Sequence, residues 1–287
     1  MVLAWRQFLA DVPDIESKAF YQSLFFEAEK LINFLSINYG LTETPPELFI
    51  EWHVDENAGV IFNQIIIRTG LLEFLKLNDM SLSSKHRTSN SPQITFLWIV
   101  AHEFMHYGQN HNKVKRDKKA HLAKDYSLVV EYDADGLATA ALYRFLMSQK
   151  KQKPIDVKLN IIASLYYPIR TRMVSRLEFT TETKSLHPPW KLRLYCCLTK
   201  LAWTDNYEVV NEIAKHTLLA EVEKKLLHEE LLNLETNFLI MAGKVNSDYL
   251  DYLNNNAMKD FEAMLDDWDE IKLDIKDASR LSTNVYS

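Results

Sequence analysis

The segment from Ser91 to Gly108 reads SPQITFLWIVAHEFMHYG. Its first turns are apolar on every side, which predicts a helix buried in the core rather than one at the surface. Ser followed by Pro is a common helix start, with Ser91 as the cap and Pro92 at the first helical position. Two histidines and a glutamate on such a helix are costly to bury unless a partner such as a metal satisfies them.

The composition around this helix predicts a mainly helical protein. The 287 residues include only 6 Gly and 8 Pro, whereas average usage would give roughly 20 glycines. Turn-rich architectures such as β-sandwiches and barrels are therefore not expected. With 47% hydrophobic and 25% charged residues, the chain has the balance of a soluble globular protein. Disorder and low complexity are excluded as descriptions of the whole chain.

We expect a mainly α (α+β) fold with a small edge sheet. The strands are predicted near 48–54 and 60–69, where β-branched and aromatic residues cluster. The connection between them, residues 55–59, looks like a hairpin. Helical patterns at 207–240 and 249–275 predict a C-terminal helical hairpin. The expected domains are a first domain at 1–205, with its sequence motifs at 48–203, and a helical region at 206–287 packed on it.

Charge and cysteine usage restrict the expected partners and compartment. The net charge of −6 gives no global attraction to nucleic acid or anionic membranes, so neither partner is expected. The adjacent residues Cys196 and Cys197 offer no disulfide framework, which fits a reducing, cytoplasmic location. No leader peptide and no membrane span are expected from the pattern. The oligomeric state is left open.

The motif HEFMH, from His102 to His106, has the spacing of a zinc site. Histidines at i and i+4 lie one above the other on a helix face, so both imidazoles can reach one ion. Glu103 projects about 100° away. From there its carboxylate could act as the general base for water activated by zinc. By chance alone such a motif should occur in roughly one chain of this length per hundred.

The third ligand is expected in the segment EYDAD on the following helix. Glu131 and Asp135 are again four residues apart, so one carboxylate can bind the metal while the other supports a ligand histidine. Asp133 points elsewhere and is expected to be solvated. The alternative is that the whole segment is a solvent-facing acidic turn. Residues 110–124 are expected to form a basic linker, and His111 to be structural or exposed.

Together these motifs resemble the gluzincin metallopeptidases. HEFMH followed by EYDAD is similar to their HExxH and Glu-x-x-x-Asp pair. The segment from His187 to Arg193, HPPWKLR, is similar to the HPxxxxR segment of the HtpX and CAAX-prenyl-protease type and of the Lit phage-exclusion peptidase. IFNQIIIRTGLLEFL, at 61–75, is similar to the strand and helix that precede HExxH in the HtpX type.

The resemblance implies roles for further residues. His187 would hydrogen-bond the oxyanion of the tetrahedral intermediate, and Arg193 would hold Asp135, a ligand or the substrate. The strand from Val60 to Arg68 would be the sheet edge that binds an extended substrate by main-chain hydrogen bonds. The residues assigned to this substrate strand are Ile61, Asn63, Ile65 and Ile67.

The expected function is that of a soluble zinc-dependent endopeptidase with one Zn²⁺ per chain. In that function His102, His106 and Glu131 are the ligands and Glu103 is the base. A protein or peptide is the expected substrate, and similarity to the Lit type suggests a role in phage defence. Two alternatives stay open. One is a metal-holding regulatory module of a defence or toxin system with little or no turnover, and the other is a helical interaction protein without metal.

Overall fold

The computed structural model describes residues 1–77, 85–88, 90–121, 126–149, 152–177, 189–204, 213–243 and 249–282, without the side chains of 118–121, 172–177 and 213–217. The strands are β1 (Val2–Ala4), β2 (Glu47–Glu51), β3 (Ala58–Ile61) and β4 (Gln64–Arg68). The helices are α1 (Trp5–Asp11), α2 (Ile15–Asn38), α3 (Thr69–Leu77), α4 (Ser91–Gly108), α5 (His111–His121), α6 (Ser127–Gln149), α7 (Pro154–Leu177), α8 (Trp190–Trp203), α9 (Ile213–Met241), α10 (Tyr249–Asn255) and α11 (Ala257–Ala278). The predicted fold class, mainly helical with a small sheet, is confirmed.

Helix α2 shows how local sequence sets the ends of an element. The carboxylate of Asp14 accepts a hydrogen bond from the main-chain N–H of Ser17 at 2.8 Å and so caps the first turn. At the other end Gly40 has a φ of 59°, the left-handed conformation that glycine adopts without steric cost. Main-chain bonds from Gly40 to Ile37 and from Leu41 to Ser36 complete a Schellman motif.

The sheet corrects both strand predictions. Its order is β1-β2-β4-β3, with β2 parallel to β4 and β3 antiparallel to β4. The strand predicted at 48–54 ends at Glu51, and the one predicted at 60–69 is two strands that reverse at Phe62 and Asn63. The hairpin predicted at 55–59 is wrong. Residues 55–59 join β2 to β3, and these two strands are not adjacent in the sheet. Phe62, with a φ of 54°, makes the reversal together with Asn63, the one turn-favouring residue between two apolar runs.

One face of the sheet belongs to the core. Leu48 and Ile50 of β2 and Ile65 and Ile67 of β4 are buried, while the residues between them are partly exposed. This alternation is the period of two that a strand with one covered face requires.

Helix α4 lies at the centre of the molecule, as its apolar sequence predicts. All of its residues except Gln93 are buried, and it packs against α2, α6 and α7, with β3 alongside. Its start differs slightly from the prediction. Asn90 occupies the cap position, and the Ser91 hydroxyl accepts a hydrogen bond from the main-chain N–H of Thr88 at 3.1 Å.

The predicted basic linker at 110–124 is wrong over most of its length, because His111–His121 is helix α5. Asn110, with a φ of 54°, separates α5 from α4. The segment contains no Gly or Pro, and its lysines and arginine are good helix formers. Buried Val114 and His111 attach α5 to the rest of the protein.

The C-terminal region is more divided than a hairpin. The second predicted helix, at 249–275, is broken at Asn256 into α10 and α11, at the end of an Asn-Asn-Asn run whose residues are weak helix formers. Helix α11 packs against α5, α6 and α8. No helix among the described residues has both the length and the apolar character needed to cross a membrane.

After α11 the chain returns to the end of α4. Arg280 donates from its main-chain N–H to the carbonyl of Gly108 at 2.7 Å and from its guanidinium to the carbonyl of Tyr107 at 2.7 Å. Its guanidinium also lies over the ring of Tyr107. These bonds satisfy carbonyls at the C-terminal end of α4 that have no partner within the helix.

Candidate metal centre

Helices α4 and α6 bring together His102, His106 and Glu131, all three buried. The Nε2 atoms of the two histidines are 3.0 Å apart. Oε2 of Glu131 lies 3.2 Å from Nε2 of His102 and 3.4 Å from Nε2 of His106. The three donor atoms therefore converge on one point.

These distances fit a bound metal ion. Ligand atoms held about 2.0–2.1 Å from zinc in tetrahedral geometry are about 3.3 Å from one another, and the three separations here span 3.0 to 3.4 Å. Two imidazoles and a carboxylate are also a donor set that suits zinc. This buried group could bind a metal ion. Glu103, the residue after His102 on α4, is buried as well.

The ion pair formed by Asp135 and Arg193 orients the ring of His102. Its Nδ1 lies 2.9 Å from Oδ1 of Asp135, one turn after Glu131 on α6. Arg193 of α8 donates to both oxygens of the Asp135 carboxylate, at 2.6 and 2.7 Å. The Asp135 carboxylate faces Nδ1 and so directs Nε2 of His102 towards the other ligands.

Neighbouring charges shift the pKa values of Asp135 and His102. Burial opposes ionisation of Asp135, but Arg193 and His102 outweigh it and lower the pKa of Asp135 to about 2. Burial also lowers the pKa of His102, but Asp135 and Glu131 outweigh burial and raise it to about 10.

His106 has a second and different support. Its Nδ1 lies 2.9 Å from Nδ1 of His111, the first residue of α5, and Nε2 of His111 lies 3.1 Å from Oδ2 of Asp133. Asp133 also accepts from Nε1 of Trp268 at 2.9 Å. Burial lowers the pKa of His111 to about 4, so His111 is neutral at physiological pH.

Only one tautomer of each ring satisfies this chain of contacts. Nε2–H of His111 donates a hydrogen bond to the Asp133 carboxylate, which leaves Nδ1 of His111 as an acceptor. His106 must then carry its proton on Nδ1, and its Nε2 has a lone pair for a metal. The expectation for Asp133 is wrong, whereas that for His111, a structural or exposed histidine rather than a ligand, holds in its structural form. Asp133 is 4% exposed rather than solvated, and His111, though a structural histidine, contacts a ligand.

Glu131 is held by a cation. Its second oxygen, Oε1, accepts a hydrogen bond from Nζ of Lys115 at 3.1 Å, while Oε2 faces the two histidines. Lys115 belongs to α5, which the sequence pattern presented as a solvated basic stretch.

Of the remaining predicted site residues, some lie at the metal centre and others do not. Arg193 lies against Asp135, whereas His187 lies outside the described residues. The predicted substrate strand is wrong for Ile65 and Ile67, because β4 has a neighbour on each side and both side chains are fully buried. Asn63 belongs to the turn. Ile61 ends β3, which is the edge strand and lies beside α4.

A signal for Asp133 was present in the sequence. Apolar or small residues surround it on α6, namely Val129, Val130, Ala134, Leu137 and Ala138, and all of them are buried. A helix with so little polar surface leaves no wet side for an acid, so Asp133 requires an internal partner. No comparable signal identifies that partner as His111.

No family model, curated protein or solved structure matches this chain.

Proposed function

We propose that this protein is a zinc-dependent endopeptidase of the gluzincin type. The observation that carries the proposal is the buried convergence of His102, His106 and Glu131 with separations of 3.0 to 3.4 Å. The order of these residues along the chain, HExxH followed by Glu-x-x-x-Asp, supports the same reading. Glu103, placed on the ligand helix, supplies the acid–base group that hydrolysis requires.

In this proposal each residue has one task. When bound, zinc would act as a Lewis acid that activates water and polarises the carbonyl of the scissile peptide bond. Glu103 accepts the proton of the attacking water and delivers it to the leaving amine. Asp135, fixed by Arg193, orients His102. Because the ligand side chains are buried, bulk water is largely excluded from them, which strengthens their interactions with charge.

The edge of the sheet is the proposed site for an extended substrate. The hydrogen bond from Arg68 N–H to the carbonyl of Asn57 fixes which residues of β3 face β4. By the antiparallel pattern, Gly59 and Ile61 face β4, and the main-chain groups of Ala58 and Val60 point away from it. A peptide in β conformation could pair with those groups alongside α4, which carries the histidines.

The edge-strand proposal can be tested at Val60. The Val60→Pro variant removes an outward N–H and leaves the ladder to β4 in place, so we expect a raised KM with a smaller change in kcat. Gly59→Pro removes a ladder bond and should lower stability instead. Unchanged KM in a folded Val60→Pro variant would remove β3 from the substrate site.

The second candidate is a metal-holding regulatory module with little or no turnover. The same ligand group supports it, and it requires no role for Glu103. The phage-defence role suggested by similarity to the Lit type stays a prediction from the sequence.

The deciding experiment compares wild type with Glu103→Gln. We expect both proteins to purify with one equivalent of zinc, and the variant to lose cleavage by about 100- to 10,000-fold. Glu229→Gln, an exposed change on α9, is the matched control. Substrates are found by searching cells that express each protein for new protein termini that appear with wild type alone. Equal cleavage by both proteins would refute the assigned base, and zinc binding without any cleavage would favour the regulatory module.

A further inference from the structure

Helix α5 presents two side chains to the metal centre from one face. His111 and Lys115 are four residues apart, so they lie one above the other on the helix. His111 contacts the ligand His106, and Lys115 contacts the ligand Glu131. The next cations on either side of Lys115, Lys113 and Arg116, are exposed. Of these three cations, Lys115 therefore faces the site, and Lys113 and Arg116 face solvent.

We propose that this face of α5 is a positioning device that sets the coordination of the metal. This proposal rests on the metal site of the proposed function but not on peptide hydrolysis. His111, held by Asp133, keeps the proton of His106 on Nδ1. Lys115 keeps Oε1 of Glu131 occupied, so that Glu131 offers the metal a single oxygen.

The two contacts have different consequences for metal binding. An imidazole whose Nδ1–H has an acceptor is a better-oriented ligand, and loss of such a partner typically weakens metal affinity about 10- to 100-fold. Lys115 would act differently, because its positive charge would repel a metal ion held by Glu131. Its contribution is to prevent bidentate binding by Glu131 and so to leave one coordination position for water, as a catalytic zinc site requires.

The pairing of Asp133 makes the first contact testable with a conservative change. The Asp133 carboxylate accepts from both His111 and Trp268, one donor to each oxygen. The Asp133→Asn variant has one acceptor oxygen for two donors, so one of these bonds must be lost.

The second contact has a matched control on the same helix. Lys115→Met removes the cation that faces Glu131, and Lys113→Met removes an exposed cation two residues away. Both changes have the same size and the same effect on net charge. Any difference between them comes from the direction in which the side chain points.

The experiment measures zinc affinity by chelator competition and the visible spectrum of the cobalt-substituted protein. We expect about 10- to 100-fold weaker zinc binding in Asp133→Asn and His111→Phe. Lys115→Met should bind zinc at least as tightly as wild type, but its cobalt spectrum should weaken towards that of a five-coordinate ion. Lys113→Met should match wild type in both measurements. If His111→Phe does not fold, Asp133→Leu, which leaves no acceptor for His111, replaces it as the test of the first contact, and Lys115→Met, a change at a partly exposed position, tests the second.

Three outcomes would overturn the proposal. Wild-type zinc affinity in a folded His111→Phe variant would remove the role of His111 and Asp133, whichever of its two bonds Asp133→Asn keeps. Identical cobalt spectra for wild type and Lys115→Met would remove the role of Lys115, with the metal site of the proposed function intact. Absence of zinc binding by wild type would remove the proposed function as well.

Discussion

Arg193 donates two hydrogen bonds to Asp135, from Nε to Oδ2 at 2.7 Å and from Nη2 to Oδ1 at 2.6 Å. Both oxygens of a buried carboxylate are thereby satisfied from one side, and Oδ1 also lies 2.9 Å from Nδ1 of His102. A planar guanidinium forms this two-point contact and an ammonium group does not. The orientation of His102 thus depends, through Asp135, on a residue in α8.

Replacement of Arg193 by lysine should weaken zinc binding although the charge is kept. Lys cannot bond both oxygens in one plane, so Asp135 and then His102 lose their fixed orientation. We expect affinity to fall by about 10-fold in Arg193→Lys and further in Arg193→Met, as measured by chelator competition. Lys191→Met is the control, because Lys191 contacts the rings of Trp190 and Tyr252. Wild-type affinity in Arg193→Lys would show that charge alone is sufficient.

Removal of the metal should lower thermal stability. A ligand that binds only the folded state stabilises it by about 4 kcal/mol at a thousand times its Kd, which corresponds to about 10 °C in Tm. Calorimetry with excess zinc and with a chelator should show this difference in wild type. The His106→Ala variant, which lacks one ligand, should show little of it. Equal Tm values for wild type under both conditions would contradict a metal site in the folded protein.

Gly108 and Leu281 should be energetically coupled. A Cβ on Gly108 would lie 3.0 Å from Cδ2 of Leu281. Ala in place of Gly within a helix is normally favourable by about 1 kcal/mol, so the contact with Leu281 opposes that gain. We expect Gly108→Ala to be more favourable in a Leu281→Ala background than in wild type, by about 0.5–1 kcal/mol in urea unfolding. Additive effects would show that Leu281 moves aside freely.

His228 should make the protein less stable in mild acid. Burial, with a smaller contribution from Lys224, lowers the pKa of this α9 residue from 6.5 to about 4. The unfolded chain therefore takes up a proton below pH 6.5 that the folded protein refuses until about pH 4, and stability falls as pH drops through this window. At pH 5 the loss due to His228 is about 1–2 kcal/mol.

The His228→Gln variant tests this assignment. It cannot titrate, so its unfolding free energy should fall less between pH 7 and pH 5 than that of wild type. His53→Gln, at a surface position, is the control. Parallel pH profiles for wild type and His228→Gln would assign the acid sensitivity to other groups.

Elements with local signals could be predicted from the sequence. Asp14 and Gly40 mark the ends of α2 because their contacts lie within a few residues. The candidate ligands His102 and His106 follow from one helix periodicity, and Glu131 with Asp135 from another. In each case the information lies within one turn of helix.

Elements defined by distant contacts could not be predicted in this way. In the run from Val60 to Arg68 the only local signal for a turn is Asn63, which by itself does not divide the run into β3 and β4. Helix α5 looks like a solvated basic stretch until α4, α6 and α11 are packed around it. The contact between His111 and Asp133 joins two helices, and the Trp268 bond joins residues 135 positions apart.

The bond from Trp268 to Asp133 also has a consequence for biosynthesis. Helices α4 and α6, which carry the candidate ligands, leave the ribosome well before α11, which carries Trp268. During translation the nascent chain therefore holds the ligand residues while Asp133 still lacks its indole donor and the end of α4 still lacks Arg280. The site acquires its full set of contacts only after residues 257–282 have emerged, so a truncated translation product would carry an incomplete centre.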